Sequence, residues 1–161
     1  MVRAIMHGCN GHMGQVITGL IKNDESIEIV AGIDKYKGIE NDYPVFDSME
    51  ACTEEADVVI DFSNAAAIDA LLDSCKDKKL PVVLCTTGLS EEQLAKVKET
   101  AKETAVLKSA NMSLGINLLL KLLKEATAVL APAGYDMEIV ERHHNQKLDA
   151  PSGTALALAD S

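Results

Sequence analysis

The sequence contains no tryptophan, and aromatic residues make up only 3% of its 161 positions. Hydrophobic residues still account for 47% of the chain, so a core must be built from aliphatic side chains. A core of Val, Ile, Leu and Ala is typical of a parallel sheet that is covered by helices. The length allows one medium-sized domain, or one domain and part of a second.

Basic residues are also scarce, with 15 Lys and Arg against 25 Asp and Glu and a formal net charge of −10. Proteins that bind nucleic acid make many Lys and Arg contacts to phosphate. We therefore expect no nucleic-acid partner. An anionic ligand would need cations that are concentrated locally.

The four cysteines show neither a C-x-x-C spacing nor zinc-type spacing to a histidine, which predicts reduced thiols and no metal site. The chain begins with strand-like residues rather than a signal peptide. Its most apolar stretch, 114–131, is interrupted by Lys121, Lys124 and Glu125, which argues against a membrane span. Together these features predict a cytoplasmic protein with no membrane partner.

Short runs rich in Val and Ile alternate with longer helical patterns. Strands are predicted at Val2–Met6, Ile27–Ile33, Val58–Phe62, Pro81–Cys85, Ala105–Lys108 and Met137–Glu141. Helices are predicted at Met13–Lys22, Ala65–Cys75, Glu91–Glu103 and Leu114–Ala131, with a further helix after Ser152. Ser90, with Gln93 three positions later, predicts a capping box at the start of the third helix. This alternation predicts an α/β fold with a doubly wound parallel sheet of the Rossmann type.

The alternation stops near Asn111-Met112-Ser113, where one long helix and a single strand follow. We therefore place a domain boundary there. Residues 1–112 are expected to form a dinucleotide-binding domain. Residues 113–161 are expected to form an incomplete substrate-binding domain, the start of an α+β unit.

A glycine motif follows the first predicted strand. Gly8, Gly11 and Gly14 are spaced G-x-x-G-x-x-G and open a helical pattern, which is the setting of a dinucleotide fingerprint. Glycines there allow the backbone to approach a pyrophosphate at a helix N-terminus. The alternative is an ordinary glycine-rich turn.

An acidic residue stands where a ribose-binding carboxylate is expected. Asp34 directly follows the second predicted strand, twenty residues after Gly14, and a separation of ~20 is usual. A carboxylate there accepts hydrogen bonds from the ribose and repels a 2′-phosphate. Lys35 and Lys37 follow, and either ammonium could pair with that phosphate. NADH is expected, with NADPH tolerated; a solvated strand end is the alternative.

The segment 141–154 concentrates groups suited to protonating a small anion. His143 and His144 can exchange protons near neutral pH, Lys147 is cationic, and Ser152-Gly153-Thr154 opens a helix. Adjacent residues on a strand point to opposite faces, so the two histidines are poorly placed to share a metal ion. A structural role for one of them, His144 in particular, is the alternative.

Together, the run His143-His144-Asn145-Gln146-Lys147, the run Asp149-Ala150-Pro151-Ser152-Gly153-Thr154 and the glycine motif resemble the dihydrodipicolinate reductase family. The resemblance extends over the whole sequence, although chains of that family continue beyond the counterpart of Ser161. It implies an NAD(P)H-dependent oxidoreductase of lysine and diaminopimelate biosynthesis that reduces 4-hydroxy-tetrahydrodipicolinate to tetrahydrodipicolinate. It also implies a small dicarboxylate substrate and a homo-oligomer, a tetramer in full-length chains.

The resemblance also assigns residues. It implies that His143 donates or accepts a proton and that Lys147 donates one, while His144, Gly153 and Thr154 contact the substrate. Ser152, a favoured N-cap residue, is expected to bind the substrate with them. The residues implied for the cofactor are Gly8, Cys9, Asn10, Gly11, His12, Met13, Asp34, Lys35, Cys85, Thr86, Thr87, Ser109, Ala110, Asn111 and Met112. Two positions depart from the expected pattern, Cys85 for a glycine and Met112 for an aromatic residue.

Three interpretations remain open at this stage. The first is a reductase of this family, and the second is another NAD(P)-dependent dehydrogenase of amino-acid metabolism. The third is a non-catalytic module that binds a dinucleotide. A redox-sensing role for Cys9 and Cys85 is a minor alternative, because no nearby group clearly activates either thiol.

Overall fold

The computed structural model describes residues 1–143, 145 and 150–161. These residues divide into two compact units, Met1–Ser109 and Ala110–Ser161. The first unit contains the sheet, and the second is helical with extended connections.

The first unit is built around a six-stranded sheet in which every pairing is parallel. Its strands are β1 (Val2–His7), β2 (Ile27–Ile33), β3 (Val45–Phe46), β4 (Val58–Asp61), β5 (Val82–Leu84) and β6 (Val106–Lys108). The spatial order is β3-β2-β1-β4-β5-β6. This is the doubly wound order, so the predicted fold class is confirmed. The order reverses between β1 and β4, where such sheets bind ligands at the carboxyl ends of the strands.

The short strand β3 was not predicted. It pairs with the end of β2 through backbone bonds from Gly32 to Pro44 and from Asp34 to Phe46, at 2.9 and 3.0 Å. Two residues are too few to produce an alternating pattern, so the sequence carries no period from which β3 could be recognised.

Three α-helices of the first unit follow strands in the chain: α1 (His12–Ile21), α2 (Ile68–Asp77) and α3 (Glu91–Thr100). A 3₁₀ turn at Ala65–Ala67 precedes α2. Helix α3 begins with the predicted capping box, in which Ser90 Oγ accepts from the Gln93 amide and the Gln93 side chain accepts from the Ser90 amide. That arrangement satisfies two amides that the first turn cannot pair internally.

The core lies between the sheet and helices α2 and α3. Ile5 and Val59 from the central strands pack with Leu71 and Leu72 of α2 and Val97 of α3. These side chains are aliphatic, as the scarcity of aromatic residues requires. Packing in the core holds the strands in position, and the strands in turn position the loops that follow their carboxyl ends.

The second unit contains helices α4 (Leu114–Leu130) and α5 (Gly153–Ala159). The predicted strand at Met137–Glu141 is wrong, because these residues form no strand in the structure. Ile139 and Val140 are 49% and 86% exposed, and β-forming residues adopt a strand only where a neighbouring strand can pair with them. The described residues of the second unit contain no strand that could pair with this segment.

Among the described residues, no helix has both the length and the apolar character that a membrane crossing would require.

Candidate functional site

The glycine motif forms the tight turn between β1 and α1. Gly8 has φ +80°, a left-handed conformation that favours glycine. A Cβ at Gly8 would lie 2.7 Å from the backbone oxygen of Phe62, and one at Gly14 would overlap the carbonyl oxygen of Gly8. The backbone of α1 therefore approaches the loop more closely than any side chain would allow.

Asp34 joins the glycine turn to the end of β2. Its carboxylate accepts hydrogen bonds from the backbone amides of Asn10 at 3.0 Å and Tyr36 at 2.9 Å. Each carboxylate oxygen has further acceptor capacity. The acid is thus held in place beside the turn while it can still accept hydrogen bonds from a ligand.

Side-chain amides hold the outer side of the same turn. Asn41 donates to Asn10 Oδ1 at 2.8 Å, and Gln15 donates to Asn41 Oδ1 at 3.0 Å and to the carbonyl of Cys9 at 2.9 Å. The loop between β2 and β3 therefore supports the glycine turn.

A cavity of about 470 Å³ opens at the carboxyl ends of the strands. Gly8, Gly11, Asp34 and Lys35, all predicted to bind the cofactor, line it together with His7. Lys37, the other candidate for a 2′-phosphate, pairs instead with Asp47 at 2.8 Å. The cavity and the close-packed glycines fit the phosphate and ribose of a dinucleotide.

A buried polar cluster lies at the carboxyl ends of β1, β4 and β5. Asp61 is fully buried, and its carboxylate is 2.6 Å from His7 Nδ1, Ser63 Oγ and Thr86 Oγ1. Burial by itself raises the pKa of the Asp61 carboxyl, but the hydrogen bonds from His7, Ser63 and Thr86 outweigh it, and the net pKa lies below the usual range. The ionised carboxylate thus connects the glycine turn to the loop that carries Thr86.

Asp61 lies within the predicted strand Val58–Phe62, but its partnership with His7 was not predicted. The two residues are 54 positions apart, so spacing gives no sign of the contact. The signal was topological: β1 and β4 are neighbours in a doubly wound sheet, and both residues end their strands.

All four cysteines are buried and free. Burial is the main cause that raises the pKa values of Cys9 and Cys85 to about 11, with nearby Asp34 and Asp61 adding to it, respectively. A reactive thiol needs a lowered pKa. The environment of both residues therefore opposes the redox-sensing alternative.

Three other residues predicted at the nicotinamide end lie on loops after β5 and β6. Thr86 is 6% exposed and held by Asp61, whereas Thr87 is exposed. The backbone amide of Ser109 bonds to Leu84 at 3.0 Å, which places the end of β6 beside β5.

In the second unit, Asn111 donates a hydrogen bond from Nδ2 to Thr154 Oγ1 at 3.1 Å. One residue was predicted for the cofactor and the other for the substrate. Ala110 is partly buried, and Met112 is 49% exposed. The structure thus brings Asn111 and Thr154 together within one unit.

Ser152 caps α5, as predicted, by accepting a hydrogen bond from Ala155 at 3.0 Å. The Ser152 amide donates to Glu141 Oε1 at 2.8 Å, and Glu141 Oε2 lies 3.3 Å from His143 Nδ1. Glu141 is not among the site residues predicted from the sequence. His144 and Lys147, two of the predicted residues, lie outside the described part of the chain.

Comparison with known proteins finds relatives of a single family along the whole chain. A family model described as "Dihydrodipicolinate reductase, N-terminus" matches residues 2–112, and one described as "Dihydrodipicolinate reductase, C-terminus" matches residues 115–161. The 4-hydroxy-tetrahydrodipicolinate reductases of Caldanaerobacter subterraneus subsp. tengcongensis and Clostridium novyi are 54% and 52% identical over 161 residues. All of this chain aligns with 63% and 64% of theirs, so the chain spans less than two thirds of these relatives.

A solved structure, dipicolinate-bound dihydrodipicolinate reductase from Paenisporosarcina sp. TG-14, superposes with a TM-score of 0.79 at 31% identity. The match covers 99% of this chain and 64% of that one. The myo-inositol 2-dehydrogenase of Lactobacillus plantarum shares the fold alone, with a TM-score of 0.58 at 13% identity over 78% of this chain.

Proposed function

The chain belongs to the dihydrodipicolinate reductase family, and on that premise we propose that it serves the NAD(P)H-dependent reduction of 4-hydroxy-tetrahydrodipicolinate to tetrahydrodipicolinate. This reaction is a step in lysine and diaminopimelate biosynthesis, and we propose that the protein acts in the cytoplasm. The observation that carries the proposal is the cavity in which the glycine turn, Asp34 and Lys35 meet.

The first unit would hold the dinucleotide, whose nicotinamide supplies the hydride when bound. The turn from Gly8 to Met13 would surround the pyrophosphate, because its glycines allow a tight turn that leads directly into the N-terminus of α1. Asp34 would accept the ribose hydroxyls. Cys85, Thr86, Thr87 and Ser109 of this unit would contact the nicotinamide and its ribose. Ala110, Asn111 and Met112, which belong to the second unit, are proposed as further cofactor-binding residues.

The second unit would bind and protonate the substrate. Hydride addition to an unsaturated ring conjugated to an imine moves electron density toward nitrogen, so a proton must follow. His143 and Lys147 are the proposed acids, and a positioned acid contributes typically ~10²–10⁴ in rate. His144, Ser152, Gly153 and Thr154 would hold the carboxylates, with Lys147 adding a fixed positive charge.

Asp34 should set the cofactor preference. Its carboxylate repels a 2′-phosphate, whereas Lys35 lines the same cavity and attracts one. We expect Asp34→Ala to weaken NADH binding and to shift the ratio of the NADPH and NADH dissociation constants toward NADPH. Fluorescence titration of both cofactors checks this, and an unchanged ratio would refute the assignment.

The reaction itself is tested on the 161-residue chain by titration with NADH, followed by addition of substrate and measurement of nicotinamide absorbance. Binding with turnover supports the reductase. Binding without turnover supports the alternative of a dinucleotide-binding module, and the absence of binding contradicts both. Light scattering during size-exclusion chromatography tests the proposed homo-oligomer, which we expect to be a tetramer in the longer relatives.

A further inference from the structure

The Glu141 side chain bridges two parts of the second unit that are predicted to act on the substrate. Its Oε1 accepts a hydrogen bond from the Ser152 amide at 2.8 Å, and its Oε2 lies 3.3 Å from Nδ1 of His143. Oε2 is shielded from solvent, and Ser152 is 3% exposed. One carboxylate thus contacts both the imidazole and the start of α5.

We propose that Glu141 is a positioning residue that fixes the proton-bearing form and the orientation of the His143 ring. This inference rests on the proposed function, because it gives His143 a chemical task. It also predicts which tautomer the His143 imidazole adopts, and the tautomer can be measured without turnover.

The two ring nitrogens of a neutral histidine differ, since one carries the hydrogen and the other is an acceptor. A carboxylate accepts hydrogen bonds only, so a carboxylate beside Nδ1 stabilises the tautomer with hydrogen on Nδ1. Nε2 then lies on the far side of the ring, away from Glu141. The geometry therefore assigns Nε2 of His143 as the atom that exchanges a proton with the substrate.

Proton transfer from His143 to the substrate leaves a neutral imidazole. The imidazolium of His143 releases its Nε2 proton to the reduced ring, and the electron pair of the broken N–H bond stays on Nε2. The neutral imidazole that remains carries its hydrogen on Nδ1, where it faces Glu141. Because Glu141 also accepts a hydrogen bond from the Ser152 amide, it links the orientation of the ring to the start of α5, where Ser152, Gly153 and Thr154 are proposed to bind the carboxylates.

A simple helix cap is the competing role for Glu141. Capping requires only an oxygen that accepts from Ser152, which a glutamine amide also supplies. Glu141→Gln keeps that oxygen but replaces the other with an NH₂ group, which donates to Nδ1 and so favours hydrogen on Nε2. The substitution therefore separates the positioning role from the capping role.

The test is long-range ¹H–¹⁵N correlation NMR of the chain labelled at histidine nitrogens, with His143→Asn used for assignment. In the wild type we expect the neutral His143 ring to carry its hydrogen on Nδ1. In Glu141→Gln we expect the tautomer to move to Nε2–H and kcat to fall by about 10- to 100-fold. The NADH dissociation constant should stay within about twofold. Glu138→Gln, the same change at an exposed position three residues earlier, should alter none of these.

A wild-type ring with hydrogen on Nε2 would overturn the inference, and that measurement needs no variant to fold. An unchanged tautomer in Glu141→Gln would overturn it as well. Absence of turnover in the wild type would contradict the proposed function instead, while the tautomer would still decide the role of Glu141.

Discussion

Asp61 is the residue on which the loops of the first unit converge. It is fully buried and receives hydrogen bonds from His7, Ser63 and Thr86. Removing one member of a buried charged network leaves the other polar groups buried without a hydrogen-bond partner, which destabilises the fold. The contacts of this carboxylate therefore matter both for the fold and for the loops at the proposed cofactor site.

We expect Asp61→Ala to lower the free energy of unfolding by about 3 kcal/mol, because His7, Ser63 and Thr86 lose a buried acceptor. Urea denaturation of the wild type and the variant measures the difference. Asp77→Ala, at an exposed position at the end of α2, is the matched control and should change stability by less than about 0.5 kcal/mol. Equal effects of the two substitutions would contradict the importance of the network.

The stability supplied by Asp61 should also depend on pH. Since folding lowers its pKa, the carboxylate stabilises the fold above the pKa of an unfolded aspartate, about 3.9. That stabilisation is lost as the pH falls from there through the folded-state pKa. The difference in unfolding free energy between wild type and Asp61→Ala should thus shrink as the pH falls below about 4.

The buried thiols allow a second prediction about single residues. Burial is the main cause that raises the pKa to about 11 for Cys9 and Cys85 and about 12 for Cys75. These three thiols should be inert to an aromatic disulfide reagent at about pH 8 in the native protein and react in denaturant. Rapid reaction of native Cys9 or Cys85 would restore the redox-sensing alternative.

Because folding raises these three pKa values, the buried neutral thiols stabilise the fold fully below the ordinary thiol pKa of 9.0. That stabilisation is lost as the pH rises toward about 11 to 12.

At the scale of elements, helix α1 contains two glycines in opposite situations. A Cβ at Gly14 would overlap the carbonyl of Gly8, whereas a Cβ at Gly19 would meet nothing within 4 Å. The first glycine is required by close packing, and the second only weakens the helix.

We expect Gly14→Ala to displace the glycine turn and to weaken NADH binding by at least about tenfold, equivalent to ~1.4 kcal/mol. Gly19→Ala should leave NADH binding unchanged and raise the stability of the protein by up to about 1 kcal/mol, because alanine is the better helix former. Fluorescence titration and thermal unfolding measure the two effects. Normal NADH affinity in Gly14→Ala would show that the turn does not bind the dinucleotide.

The sequence predicted elements well where local chemistry decides them. The bounds of β2, Ile27–Ile33, and the capping box at Ser90 were both correct, since strand composition and cap residues act locally. Met137–Glu141 failed because a strand also needs a partner, and the pattern of Ile and Val says nothing about partners. The contacts of Glu141 with Ser152 and of His7 with Asp61 were missed because the paired residues are 11 and 54 positions apart in the sequence.

At the scale of the whole molecule, the two units differ in how they bury apolar surface. The apolar side chains that the structure describes as buried all belong to the first unit. In the second unit, Leu114 and Val129 of α4 are 87% and 70% exposed. Helices without packing of an apolar face are only marginally stable in water.

The protection of backbone amides from hydrogen exchange should therefore differ between the two units. We expect strong protection in β1, β4 and β5, which pair on both sides, and weak protection in α4, where opening exposes little additional apolar surface. Exchange followed by mass spectrometry of peptic fragments measures both in one sample. Protection of α4 equal to that of β1 would contradict this division.

The polar cluster beneath the glycine turn also constrains the order of events during synthesis. His7 leaves the ribosome early, but its partner Asp61 follows 54 positions later, and Thr86 later still. The hydrogen bonds of Asp61 with His7 and Thr86 therefore cannot form within a short segment of the nascent chain. A contact between distant residues requires the whole intervening segment to be synthesised first. The dinucleotide should be unable to bind translation intermediates that stop before β5, whatever the state of the glycine motif itself.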